Sequence, residues 1–320
     1  MLTAPRRLLL VHAHPDDETL WTGGTIARYA DAGVHVTVVT CTLGEEGEVI
    51  PDGLRGLAAD SADQLGGYRV GELRTACTAL GVTDQRFLGG LGRWRDSGMA
   101  GTPANDHPRA FVNGLIDEQV DALTEIVAEV RPQVMVSYDP DGGYGHPDHI
   151  RAHQVTMAVA EQVPDLHAVF WTVVSRSTLR DGVAALTTHA RSGGLPMSPA
   201  EADDLPGVPD DAVTTVVDIR DQLPAKVAAM RAHATQVTVW EGPADDAAEA
   251  DGVRAFALSD GLARPLADHE EFTLVGGRAE PAHVRTDLFG TDSTEGPDDS
   301  DAAVGPAPVS GSAGRPAPPS

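Results

Sequence analysis

The chain has 320 residues, 41% of them hydrophobic, enough to bury a sizeable core. Asp and Glu total 48 against 23 Lys and Arg, a formal net charge of −25. Such a surface repels phosphate backbones and anionic lipid, which makes nucleic acid and membrane surfaces poor candidate partners. The two cysteines, Cys41 and Cys77, are too few for a disulfide framework and are expected to be free thiols in a reducing cytoplasm.

In chain order, Leu8–Val11 is a short apolar run, read as a buried strand. It falls far short of the roughly 20 apolar residues that a spanning helix needs, and no secretory signal is read in front of it. Leu20–Ala32 has helical spacing and stops at Gly33. Val34–Cys41 is β-branched and strand-like, Ser61–Leu80 is helical, and Gln85–Leu88 is a short strand. Val112–Val130 reads as an amphipathic helix stopped by Pro132, and Val134–Tyr138 as the next strand. Pro147–Val163 follows as a helix with proline in its first turn, then Ala168–Val174 as a strand. Strands alternating with helices predict an α/β, Rossmann-like fold: a mostly parallel sheet covered by helices on both faces.

The Rossmann-like core is expected over residues 1–175, and an α+β elaboration packed on it over residues 176–290. In the latter, Val213–Ile219 and Glu271–Val275 read as strands and Asp221–His233 as a helix. From Asp292 to Ser320 the chain is rich in Pro, Ser, Gly, Ala and Asp and holds no aromatic residue. Residues 291–320 are therefore expected to be a disordered acidic tail.

In parallel sheets the chemistry gathers beyond the carboxyl ends of the strands. Directly after the first strand come His12-Ala13-His14-Pro15-Asp16-Asp17-Glu18; after Val134–Tyr138 come Gly142-Gly143-Tyr144-Gly145-His146-Pro147-Asp148-His149. The crowded acids of the first segment would repel one another, or carry a heavy desolvation cost, unless a cation binds there. A catalytic zinc takes three protein ligands and leaves a fourth position for water; two imidazoles and a carboxylate, His14, Asp17 and His149, satisfy that. Asp16 is then left to take a proton from water, and Asp148 to orient a neighbouring imidazole. Iron(II) tolerates the same donors. No G-x-G-x-x-G follows the first strand, which argues against a nucleotide-binding module, and the near absence of Cys argues against a structural zinc site.

The segments HAHPDDE and GGYGHPDH resemble the paired motifs of the LmbE-like family of zinc deacetylases. TCTLGEEGEVI (Thr40–Ile50), DQLGGYRVGEL (Asp63–Leu73), GGLGRWRDSGMAGT (Gly89–Thr102) and RAHATQV (Arg231–Val237) extend the likeness toward its branch acting on N-acetylglucosaminyl-inositol. The resemblance implies that His14, Asp17 and His149 bind the metal and that Asp16 is the general base. It implies that His146 gives a proton to the leaving amine or steadies the oxyanion, and that Tyr144 polarises the acetyl carbonyl; the neighbouring carboxylate of Asp148 is expected to keep His146 protonated. Arg69 and Asp96 would hold sugar or inositol hydroxyls, and Glu48 and Met99 would line the pocket. The implied ligand is a small amino-sugar inositol, with no nucleic-acid or membrane partner; a homo-oligomer is compatible. The rival within the family is the amidase that cleaves mycothiol S-conjugates, which carries a lysine and a proline where this chain has Trp21 and Gly145.

Overall fold

Leu8, Leu9, Leu10 and Val11 are all fully buried, because the strand they form lies inside a sheet covered on both faces. The structure, a computed structural model, describes residues 5–242, 253–279 and 284–290. The expected disordered tail lies outside the described residues.

The elements run β1 (Arg7–His12), α1 (Asp17–Asp31), β2 (His35–Thr40), α2 (Leu65–Ala79), β3 (Asp84–Phe87) and α3 (Ile116–Val130). Next come β4 (Val134–Tyr138), a single turn α4 (Gly142–Gly145), α5 (Pro147–Ala160), β5 (Ala168–Val173) and α6 (Arg176–Arg191). The remainder is β6 (Ser198–Pro199), β7 (Thr215–Asp218), α7 (Leu223–Ala232), β8 (Thr238–Glu241), β9 (Arg254–Ala257), β10 (Leu262–Pro265) and β11 (His269–Gly276).

The main sheet has the order β3-β2-β1-β4-β5-β11-β7. Its first five strands are parallel, whereas β11 pairs antiparallel with both β5 and β7. A second sheet has the order β6-β10-β9-β8. The strand order reverses at β1, which pairs with β2 on one side and β4 on the other. That leaves a crevice between the carboxyl ends of β1 and β4, where ligands of such sheets bind.

Alternation along the strands divides the core. Leu8, Leu10, Val36, Val38, Val134 and Val136 pack with Ile26 of α1, Leu73 of α2 and Ala229 of α7. Leu9, Val11, Val39 and Met135 pack on the opposite face with Leu123 and Val127 of α3 and Val155 of α5.

Several boundaries differ from the sequence reading for local reasons. The helix expected from Ser61 begins at Leu65, after Asp63 takes a left-handed φ of 52°. The helix expected from Val112 begins at Ile116, because a 3-10 turn over Phe111–Asn113 and Gly114 precede it. Helix α6 was not expected; its Ser, Thr and Gly content masks a single buried stripe of Leu179, Val183 and Leu186. Among the described residues no helix is long and apolar enough to cross a membrane.

A buried ion pair ties the late segments to α1. Lys226 Nζ lies 2.6 Å from Glu270 Oε1, with side chains 5% and 4% exposed. Glu270 also accepts the backbone N–H groups of Gly24 and Thr25, at 2.9 and 2.7 Å. Lys226→Met would leave that carboxylate buried without its cation, so about 3–5 kcal/mol of stability should be lost, measurable by urea denaturation.

Candidate metal centre

Two loops build the site from opposite sides of the β1–β4 crevice. The first turns sharply at Asp16, whose φ of 115° and ψ of −31° are unusual for a residue with a side chain, and enters α1 at Asp17. The second leaves β4 through a glycine turn. Gly142 has φ 64°, and a Cβ there would come within 2.7 Å of His149 Cβ, so only glycine lets the turn fold back onto α5. Pro147 and His146 then start α5, with His146 Nδ1 accepting the Asp148 N–H at 3.2 Å.

Three donor atoms from these loops form a nearly equilateral triangle. His14 Nδ1 and His149 Nε2 are 3.3 Å apart, and each lies 3.4 Å from Asp17 Oδ2. A tetrahedral zinc sits about 2.0–2.2 Å from nitrogen and oxygen ligands, which separates neighbouring ligand atoms by about 3.3–3.6 Å. The triangle therefore has the dimensions of one face of such a site. Other donor groupings exist: His14 with His146 and His149, and His14 with Asp96 and Asp148. His146 Nδ1, Asp96 Oδ1 and Asp148 Oδ2 accept backbone N–H groups, as Asp17 Oδ2 does from His14 at 2.8 Å.

The electrostatics suit a cation. Asp16, Asp17, Asp96 and Asp148 are all buried around the triangle, and Arg69 pairs with Asp16 at 3.2 Å. Burial opposes a charge on His14, yet Asp96, Asp148 and Asp17 together hold its pKa well above the ordinary histidine value. Burial also acts against the Asp17 carboxylate, but His149 and His14 keep it well below the usual range. Asp16 moves the other way: burial lifts it to about 7 against the pull of Arg69, with Asp17 and Glu18 adding to the rise.

Asp148 departs from the sequence reading. Its Oδ2 faces His14 Nε2 at 3.3 Å and accepts the Ser97 N–H at 2.9 Å, so it orients His14 and does not keep His146 protonated. His146 is instead pushed down to about 3, first by burial and then by the neighbouring His14 and His149. With Nδ1 accepting from the backbone, the neutral ring carries its proton on Nε2.

The remaining candidates surround a cavity of about 530 Å³ that opens over the triangle. Tyr144 is 46% exposed, and its hydroxyl lies 3.4 Å from His149 Nε2. Arg69 and Asp96 line the cavity with several polar atoms already engaged. Arg69 reaches Pro15 O, Gly44 O and Asp16, while Asp96 Oδ1 stands 3.4 Å from His14 Nε2. Met99 lines the cavity, but Glu48, an exposed residue, does not; its neighbours Glu46 and Gly47 do. Trp21, which sequence reasoning used only to separate two branches of the family, lines the wall against Gly143.

His269, which also lines the cavity, bonds Asp268 and Thr178 and lies 3.5 Å from Glu271. Glu271 and then Asp268 raise its pKa to about 8 against burial. A raised histidine stabilises the fold fully below its unfolded value near 6.5, and that contribution is lost as pH climbs through about 8. The side chain is 28% exposed, so solvent screening reduces the effect to about 1 kcal/mol. Urea midpoints should therefore fall between pH 6.5 and 8.5, and His269→Gln should flatten that slope.

A buried triangle of two imidazoles and a carboxylate, at the switch point of a Rossmann-like sheet, has the donor atoms and the dimensions to hold a metal ion. Residues 9–160 match the PIG-L family, described as GlcNAc-PI de-N-acetylase. The chain is 61% identical over 296 residues to 1D-myo-inositol 2-acetamido-2-deoxy-α-D-glucopyranoside deacetylase 1 of Saccharopolyspora erythraea, covering 90% of this chain and 95% of that protein. A deacetylase of the same name from Actinosynnema mirum is 58% identical over 289 residues, covering 90% and 98%. The chain belongs to the PIG-L/LmbE-like family of deacetylases. Among solved structures, 4-carboxy-2-hydroxymuconate hydratase GalB of Pseudomonas putida KT2440 is similar with a TM-score of 0.50 at 18% identity, covering 86% and 98%. That likeness concerns the fold alone.

Proposed function

We propose that this chain hydrolyses the acetamide of 1D-myo-inositol 2-acetamido-2-deoxy-α-D-glucopyranoside to acetate and the free amino sugar, a cytoplasmic step of mycothiol biosynthesis. Zinc would be held by His14, Asp17 and His149. The observation that carries this reading is the 3.3–3.4 Å triangle with Asp16 beside it. The names of relatives more than half identical to the chain support the substrate. Two free, buried cysteines fit a reducing compartment.

Bound there, zinc would supply Lewis acidity to the amide carbonyl and to the attacking water near neutral pH. Asp16 takes a proton from the attacking water, a task suited to a carboxyl raised to about 7. Arg69 limits that rise and keeps the carboxylate aimed. As the C–O bond forms, negative charge grows on the acetyl oxygen, and His146 Nε2–H with the Tyr144 hydroxyl donates to it. His146 thereby takes the oxyanion role and not the acid role, since its neutral ring has no spare proton to release. Asp16 returns its proton to the amine nitrogen as the C–N bond breaks. Asp148 holds His14 Nε2, leaving Nδ1 facing the triangle.

Turnover of the acetylated glucosaminyl-inositol should exceed that of a mycothiol S-conjugate, with acetate release abolished by a chelator and restored by zinc. Faster cleavage of the conjugate would instead assign the chain to the amidase branch.

A further inference from the structure

His233 follows the last turn of α7, 215 residues along the chain from Glu18, the residue it bonds. Its Nε2 lies 2.7 Å from Glu18 Oε1, and both side chains are 0% exposed. The other carboxylate oxygen of Glu18 accepts the backbone N–H of Asp16 at 3.0 Å. One buried carboxylate is thus held between a distant imidazole and the backbone of the proposed base.

That backbone needs holding. Asp16 has φ 115° and ψ −31°, a conformation that costs on the order of 1–3 kcal/mol and persists only where the surroundings over-determine it. Glu18 fixes its N–H, Thr19 and Leu20 donate to its carbonyl at 2.9 and 3.0 Å, and Arg69 holds its carboxylate. Helix α2 contributes to both ends of this arrangement. Arg69 reaches Asp16, and one turn later Glu72 accepts the Thr235 N–H at 2.9 Å and its hydroxyl at 2.7 Å, locking the turn that presents His233. His233 does not line the cavity, so it has no route to the substrate.

We propose that His233 is a positioning residue: by donating from Nε2 to Glu18, it fixes the carboxylate that holds the Asp16 backbone and so aims the Asp16 carboxyl at the reacting water. This inference rests on Asp16 acting as the base.

The test compares two amides in the full-length, zinc-loaded chain, with kcat, KM and zinc per chain measured on the acetylated glucosaminyl-inositol. The glutamine nitrogen falls near the Nε2 place and the asparagine nitrogen near Nδ1, so His233→Gln keeps the bond to Glu18 and His233→Asn does not. His233→Asn should lower kcat by about 10–100-fold with KM and zinc within about twofold, while His233→Gln stays within about threefold of the parent. In an Asp16→Asn background, His233→Asn should cost less than about twofold, because the aimed group is gone. Equal activity of the two amides, a loss that follows zinc content, or an undiminished loss in the Asp16→Asn background would overturn the inference. Full activity of Asp16→Asn alone would overturn instead the reading on which it rests.

Discussion

Asp16→Ala should retain its zinc and lose about 10²–10⁴-fold in kcat, the usual effect of removing a general acid–base group. Two features separate this residue from its neighbour Asp17. Asp17 Oδ2 closes the triangle with His14 and His149, whereas the Asp16 carboxylate turns toward Arg69 at 3.2 Å. Loss of Asp16 therefore removes a proton acceptor without removing a donor atom of the triangle. Asp16→Asn is the cleaner version, since it keeps the shape and suits a positive φ better than alanine does. Both variants should bind substrate with little change in KM. Steady-state kinetics with elemental analysis of the same samples checks this; near-full activity in a zinc-replete variant would remove Asp16 from the chemistry.

His149→Ala should fail differently. His149 is fully buried, stacked on Tyr138 with ring centroids 4.1 Å apart, and its Nε2 is one corner of the triangle. Two donors do not hold zinc as three do, so zinc per chain should fall well below one after dialysis. Activity should drop by about 10³-fold or more, since polarisation of the carbonyl accounts for several kcal/mol of barrier lowering. Excess zinc in the assay should restore part of it. Elemental analysis after dialysis separates this from the Asp16 case: one variant keeps the metal and the other does not.

How much of this was legible in the sequence follows from which interactions are local. Buried parallel strands announce themselves as apolar runs, so the strands at Leu8, Val34 and Val134 were readable. Once those strands were placed in a parallel sheet, the positions of His14 and His149 followed. The short strands of the second sheet, two to four residues long, are too brief for alternation to register. The antiparallel addition of β11 and β7 depends on pairing partners remote in sequence. The same limit governs the site. Asp148 and His146 are close in sequence, which suggests that the carboxylate acts on the neighbouring ring, but His146 caps the Asp148 backbone N–H while the Asp148 carboxylate meets His14. The partnership of Glu18 with His233 spans α1 and the end of α7 and left only RAHATQV as its trace.

The central claim is that the two loops meet on one cation through His14 Nδ1, His149 Nε2 and Asp17 Oδ2. Anomalous diffraction at the zinc edge, from crystals of the zinc-loaded protein, tests it most directly. The expected result is a single strong peak about 2.0–2.2 Å from each of those three atoms, with its open side toward Asp16. A peak on the other side of the His14 ring, bound by Nε2 with Asp96 and Asp148, would contradict it.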